Sequence, residues 1–415
     1  MTELADVVGA DHVLTDAGVR QGYETDWTGR FSGTCEAVVR PADATEVAGV
    51  LRWAGENGRA VHVQGGNTGL VGGSVPAPDA GKPVVILSTL RLTHPLEITG
   101  RSLIAGAGVT LGDAQRLARK HGMVYGVDLA ARDSATIGGT VATNAGGIRV
   151  CKYGMTRRQV EGIEAVLADG TIVRRMSGLV KDNTGFDLAQ LLTGSEGTLA
   201  VITSVRVRLH DEAAESVVAV FGVPSLAAAL EHAHAQGEGL QAAEVVDARG
   251  WQAAHGPDVG DSPWILLLET DVETAEIPDE ALVAMETPDK ERLWHFRESQ
   301  AEVAQQLGVK QKIDIAVPFE RLDEFTDGVY ASHPAFIFGH VADGSLHVEL
   351  FDEGEDEVLD RVVELGGAVS AEHGVGRVKT RAVVNDRGAE TMAAMRSLKD
   401  AWDPAGVLNP GVVFA

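Results

Sequence analysis

Two stretches restrict this chain more than any others. "VQGGNTGLVGGSVP" (63–76) and "RDSATIGGTVATNAGGIRV" (132–150) are rich in Gly, Ser, Thr and Asn and carry almost no charge. Each adjoins an apolar, strand-like run. Glycine there leaves successive backbone N–H groups free of side-chain obstruction, and such groups form concave nests for anions. Pyrophosphate is the natural guest. "TGSEGTLAVIT" (193–203) is a third loop of the same kind. One such loop reads equally well as a turn in a β-rich domain; three together point to a ligand. No G-x-x-x-x-G-K-[ST] occurs, which argues against a P-loop ATPase. "GAGVTLG" (106–112) has one residue too many for G-x-G-x-x-G, which weakens a dinucleotide-type Rossmann reading.

The 415 residues suit two or three domains. The first 210 alternate short β-rich runs, helices and glycine loops. Asp43 or Thr45 is a candidate N-cap, and Val47, Val50, Leu51 and Ala54 give a helical period. Asp169-Gly170 marks a hairpin turn in "VEGIEAVLADGTIVRR". After the polar break "HDEAAES", an α+β region runs to about residue 380, and a helical tail ends in "DPAGVLNPGVVF". The expected division is 1–210, 211–380 and 381–415. Net charge is −25, which repels nucleic-acid phosphates and anionic headgroups. Nucleic acid is therefore excluded as a partner, and an anionic substrate needs a local basic pocket. Two unpaired-looking cysteines, Cys35 and Cys151, fit a reducing compartment. No signal peptide and no apolar run of membrane-spanning length is visible, so a cytoplasmic protein is expected, with peripheral membrane contact left open.

"FGHVADGSLHVEL" (338–350) places His340 and His347 around an Asp343-Gly344 turn, and "SAEHGVGRVK" (370–379) adds Glu372. A hairpin would turn both imidazoles to one face. Two imidazoles with one carboxylate suit borderline divalent ions such as zinc, iron, cobalt or manganese. Three protein ligands leave positions open for a substrate. His-x6-His alone describes ordinary histidines equally well.

The stretches "GGNTGLVGGSVP", "IGGTVATNAGGIR", "LLTGSEGTLAVIT", "GHVADGSLHV", "SAEHGVG" and "DPAGVLNPG", spread over residues 65–411, resemble the FAD-linked D-2-hydroxy-acid dehydrogenases. That family includes hydroxyglutarate and lactate dehydrogenases and the glycolate oxidase flavin subunit. The resemblance implies an α+β fold: a two-subdomain FAD-binding domain of vanillyl-alcohol oxidase type, an α+β substrate cap and a C-terminal helical return. It implies that Gly65, Gly66, Asn67, Thr68, Gly69, Gly72 and Gly73 wrap the FAD pyrophosphate. Ser134, Gly138, Gly139, Asn144, Gly146 and Gly147 would line the second side, Gly197 and Ile202 the adenine end, and Asn409 would return to the flavin. The first loop has no histidine, so FAD is expected to be non-covalent.

The same resemblance makes His340, His347 and Glu372 ligands of a divalent metal, with zinc the expectation, and makes His373 the general base. Arg297 and Lys312 match positions that hold a substrate carboxylate. Two positions depart from the hydroxyglutarate pattern: Ala301 replaces a threonine, and Glu349 replaces an asparagine. The expected substrate is thus a small D-2-hydroxy acid of unassigned length. Electrons are expected to pass to a separate acceptor: an electron-transfer flavoprotein, a quinone or a cytochrome. A homo-oligomer is expected. The alternatives are an oxygen-using FAD oxidase of the same fold and a non-catalytic flavin subunit.

Overall fold

A computed structural model describes residues 2–78, 80–212 and 214–414. The chain forms two units. One comprises Met1–Ala145, Met155–Glu212 and His373–Ala415; the other comprises Gly146–Gly154 and Ala213–Glu372. Gly146 and Gly147, read from sequence with the nucleotide loop, thus lie in the second unit.

Among the described residues the first unit holds three sheets, one of them only the antiparallel pair Met123–Val124 and His210–Asp211. In the smaller of the other two, Ala37–Val39, Val84–Ser88 and Ala60–Gln64 run parallel, with Val13–Leu14 added antiparallel at the edge. The connection between Val39 and Ala60 is the helix Ala44–Glu56. Asp43 starts it, its carboxylate accepting the N–H groups of Thr45 (2.8 Å) and Glu46 (2.9 Å). Val47, Val50, Leu51 and Ala54 then recur at helical spacing and are fully buried. Each buried Val or Leu side chain of this kind contributes about 1.5–3 kcal/mol. The larger sheet is antiparallel, in the order Leu96–Thr99, Ser102–Gly106, Ala200–Arg208, Val160–Leu167, Ile172–Arg175. Its last hairpin turns at Asp169-Gly170, with Gly170 at φ +81°. The tail is two helices, Thr380–Arg387 and Ala389–Trp402, separated by Gly388 at φ +80°.

The second unit is built on a seven-stranded antiparallel sheet. Its order is Leu282–Ala284, Ser216–Val223, Trp264–Asp271, Leu240–Asp247, Ala335–His340, Ser345–Leu350, Gln311–Ala316. The helices Thr287–Glu298 and Gln300–Gln306 contribute Leu293, Trp294, Val303 and Ala304 to a core with Val218, Leu267, Val246, Phe336 and Phe338. The period of two puts those sheet residues on one face. Glu244, Glu269, His340, His347 and Asp314 fall on that same face and are all buried. Buried charge is costly unless it is paired, so this row needs an explanation that packing does not supply. Among the described residues, no helix is long and apolar enough to cross a membrane.

Candidate functional site

The first glycine loop leaves the parallel strand at Gly65. A methyl group on Gly66 would lie 1.9 Å from the Ser134 carbonyl oxygen, and one on Gly65 would lie 2.6 Å from Thr136 Oγ1. The two loops are thus pressed together, backbone against backbone, and only glycine fits. Asn67 sits at φ +54° and its side chain bonds locally. Its Nδ2 donates to Thr25 O (2.8 Å) and its Oδ1 accepts from Ser74 Oγ (2.7 Å). Asn67 therefore shapes the loop through its side chain and offers a ligand its backbone. Gly72 (φ +68°) packs against Phe31, and Gly73 approaches Gly376. Among the described residues, the successive N–H groups of Gly66, Asn67, Thr68 and Gly69 donate to nothing in the chain. Consecutive unpaired amides on half-buried backbone are what a pyrophosphate requires.

The second loop feeds the helix Ile137–Thr143. Thr136 caps it by accepting from Gly139 N, and Gly138 lets it close onto Ala107. Asn144 ends it in a left-handed turn, and its Oδ1 accepts from Arg157 N (2.9 Å). The Gly146 and Gly147 N–H groups have no acceptor among the described residues.

Glu196, which the sequence did not single out, organises the third loop. Its carboxylate accepts the N–H groups of Val375 and Gly376, each at 2.8 Å. Burial pushes its pKa up against those donors. Asn409 donates to Glu196 O (2.7 Å) and accepts from Val63 N (2.7 Å). Its amide therefore clamps the Glu196-Gly197 turn to the end of the parallel strand. Gly197 has φ +70°, and a methyl there would meet Asn409 Nδ2 at 2.5 Å. Ile202 is buried in the strand Ala200–Arg208.

The second unit gathers the histidines. The hairpin connection is longer than a two-residue turn: Val341–Asp343 form a 3₁₀ turn before Gly344 at φ +75°. Register still puts His340 opposite Ser345 and His347 opposite Phe338, so both imidazoles share a face. His340 Nε2 lies 3.7 Å and His347 Nε2 3.5 Å from Glu372 Oε1. Glu372 Oε1 thus faces both imidazoles. Asp314 faces His347 across the register and takes the N–H groups of Ala371 and Glu372 (3.1 Å each), which fixes the turn that presents Glu372. Asp314, His347 and Glu372 each offer a ligand atom within 4.8 Å of the others.

Glu244 orients the set. Its Oε1 accepts from His340 Nδ1 at 2.6 Å, which leaves Nε2 to face Glu372. This is the carboxylate–histidine arrangement that orients metal-binding imidazoles. Burial lowers the His340 pKa, but the charges of Glu244 and Glu372 outweigh it and hold the ring well above its usual value. Arg297 is 6% exposed, its Nη2 lies 2.7 Å from Glu244 Oε2, and its guanidinium lies over Phe338. Lys312 is half-buried, donates to Ala301 O (3.1 Å), and pairs in register with Glu349. His373 follows Glu372 in the chain and opens the last segment of the first unit.

Comparison with known proteins gives the following. Residues 35–175 match the FAD binding domain family, and residues 212–413 match the family of FAD linked oxidases, C-terminal domain. D-2-hydroxyglutarate dehydrogenase, mitochondrial, of Bos taurus is 36% identical over 96% of this chain and 80% of that protein. D-2-hydroxyglutarate dehydrogenase of Xanthomonas citri pv. viticola is 32% identical over 99% and 96%. Among solved structures, 4-ethylphenol oxidase from Gulosibacter chungangensis superposes with a TM-score of 0.74 at 19% identity, covering 100% of this chain and 96% of that one. That likeness shows the fold.

Proposed function

The chain belongs to the FAD-linked D-2-hydroxy-acid dehydrogenases, an FAD-dependent oxidoreductase of vanillyl-alcohol oxidase-type fold, and we propose the following roles for its residues. Gly66, Asn67, Thr68 and Gly69 hold the FAD pyrophosphate by their free amides. Bound FAD supplies the hydride acceptor for the substrate's C2. His340, His347 and Glu372 would hold a divalent cation, which would supply Lewis acidity toward a hydroxyl. Zinc suits the two imidazoles and one carboxylate. Arg297, fixed by Glu244 and Phe338, grips the C1 carboxylate. His373 accepts the hydroxyl proton as C2 gives up its hydride, so alcohol becomes ketone and the products are a 2-oxo acid and reduced flavin. Lys312 offsets the charge of Glu349 across the strand pair. The acceptor that would reoxidise the cofactor is a separate carrier: an electron-transfer flavoprotein, a quinone or a cytochrome.

The observation that carries this reading is the convergence of His340 Nε2 and His347 Nε2 on Glu372 Oε1. The test is an anaerobic screen of FAD-loaded protein. D-2-hydroxy acids are expected to bleach the visible flavin band, and their L-enantiomers are not. Equal bleaching by both enantiomers, or by neither, would overturn it.

The same geometry yields a second expectation. Glu244→Gln keeps the shape of the side chain but removes the charge that orients His340 and anchors Arg297. Metal affinity should fall about tenfold to a hundredfold, the usual cost of losing an orienting carboxylate. Metal titration after chelation reads this directly. Affinity equal to the parent's would remove Glu244 from that role.

A further inference from the structure

His373 begins the turn "HGVGR" (373–377), and three groups fasten that turn to the first unit. Glu196 Oε1 accepts from Val375 N and Glu196 Oε2 from Gly376 N, each at 2.8 Å. Arg377 N donates to Val71 O (2.9 Å), and its guanidinium donates to Gly72 O (2.9 Å) and Pro76 O (3.0 Å). Val413 N donates to Gly376 O (2.9 Å). The two glycines of the turn make room for these partners. A methyl on Gly374, at φ +84°, would lie 2.9 Å from Glu196 Oε1. One on Gly376, at φ +53°, would lie 2.2 Å from Val71 O.

Glu196 grips the chain two and three residues after His373. A carboxylate that takes two successive amides fixes their direction as well as their distance, and such charge-assisted bonds are among the stronger ones. Glu196 itself stands at φ +51°, between Gly194 (φ +81°) and Gly197 (φ +70°). Glycine adopts that left-handed backbone freely, whereas a side chain makes it unfavourable. What the side chain adds here is the hold on residues 375 and 376. The Glu196 backbone is in turn anchored: Asn409 Nδ2 donates to Glu196 O (2.7 Å), and Asn409 Oδ1 accepts from Val63 N (2.7 Å) on the strand that leads into the first glycine loop.

We propose that Glu196 is a positioning residue for His373, its carboxylate holding the turn that aims the imidazole while Asn409 ties Glu196 to the strand Ala60–Gln64. This rests on the reading of His373 as the base given above. In this role Glu196 exchanges no proton; it acts through the amides of Val375 and Gly376. The same turn is fastened by Arg377 to Val71, Gly72 and Pro76, which follow the amides assigned to the pyrophosphate. One stretch of backbone thus serves both the nucleotide and the base.

The test is a double-mutant cycle of Glu196→Gln and His373→Ala in FAD-loaded protein, read as the rate constant of flavin reduction by a D-2-hydroxy acid that bleaches the parent. Glutamine keeps the shape of the side chain but turns one accepting oxygen into a donor, so one of the two bonds is lost. Glu196→Gln should slow reduction about tenfold to a hundredfold, the scale of a small misplacement of a reacting group. The substrate concentration for half-maximal rate should stay within about twofold. Glu196→Asp keeps the charge on a shorter arm and should recover part of the rate. In the His373→Ala background Glu196→Gln should cost less than about threefold, because residues that act as one unit are not additive. A second readout needs no turnover. Without substrate, hydrogen exchange at the Val375 and Gly376 amides should quicken at least about tenfold in Glu196→Gln, while the helix Ala44–Glu56 is unchanged. A Glu196→Gln protein at the parent's rate, an undiminished loss in the His373→Ala background, or unchanged exchange at 375 and 376 would each overturn the proposal. His373→Ala at the parent's rate would sink the base assignment and this proposal with it; a slow His373→Ala protein with an undiminished Glu196→Gln loss sinks the proposal alone. If Glu196→Gln does not fold, Glu196→Asp takes its place in the cycle and the same outcomes decide.

Discussion

Gly66→Ala is expected to purify without flavin colour. The added methyl would lie 1.9 Å from the Ser134 carbonyl oxygen and 2.8 Å from its carbon, and neither is the end of a flexible side chain. One loop must retreat. The loop that carries Gly66 also carries the free amides of Asn67, Thr68 and Gly69, so the retreat spoils the whole nest. The cost falls on the bound state above all, because the pyrophosphate is held by the mutual direction of several N–H groups. Bound FAD after purification, read from the visible spectrum, should drop to a small fraction of the parent's. Gly55→Ala is the control. It lies in the exposed face of the helix Ala44–Glu56 with nothing within 4 Å of the new methyl. It should keep its colour and gain up to about 1 kcal/mol of stability from helix propensity. A yellow, fully loaded Gly66→Ala protein would remove the loop from the cofactor site.

The contrast between those two glycines shows what a sequence can tell. Clustered glycine signalled the loops, and the Asp343-Gly344 turn signalled the hairpin that carries His340 and His347. Which glycines are indispensable was not visible, because Gly66 meets a residue 68 positions away. The same limit hid Glu244, Glu269 and Asp314. Each is an acid flanked by apolar residues inside a strand: "AAEVV", "ILLLET", "KIDIA". A lone acid at an inward position of such a strand is a warning, since burial without a partner is costly. The partner could not be named, because the sheet order is non-local: Leu240–Asp247 lies beside Ala335–His340, nearly a hundred residues on. Asn409 was read as returning from the tail to the flavin, and the bonds its amide makes to Glu196 and Val63 were not foreseen. Glu196 escaped notice because its role depends on the backbone of Val375 and Gly376, far along the chain. Residue types announced the chemistry, and long-range pairing decided which of them stand together.

His373→Ala is expected to stay yellow and folded while flavin reduction by a D-2-hydroxy acid slows at least about a hundredfold, the lower end of what a lost general base costs. Positioning and charge stabilisation by Arg297 and the cation would survive, so residual turnover is expected. The diagnostic is the pH profile. An imidazole accepts a proton only when neutral, so the parent's rate should fall as pH drops and the ring protonates. The variant should lose that acid limb, and added imidazole should restore part of the rate. FAD content should match the parent's, because the nucleotide is held by backbone amides. The rate is best read by anaerobic stopped-flow, which isolates flavin reduction from the acceptor step. A variant within about tenfold of the parent, or one that keeps the acid limb, would transfer the proton to another group. Asp314 would then be the first to examine, since its ligand atom lies within 4.8 Å of those of His347 and Glu372.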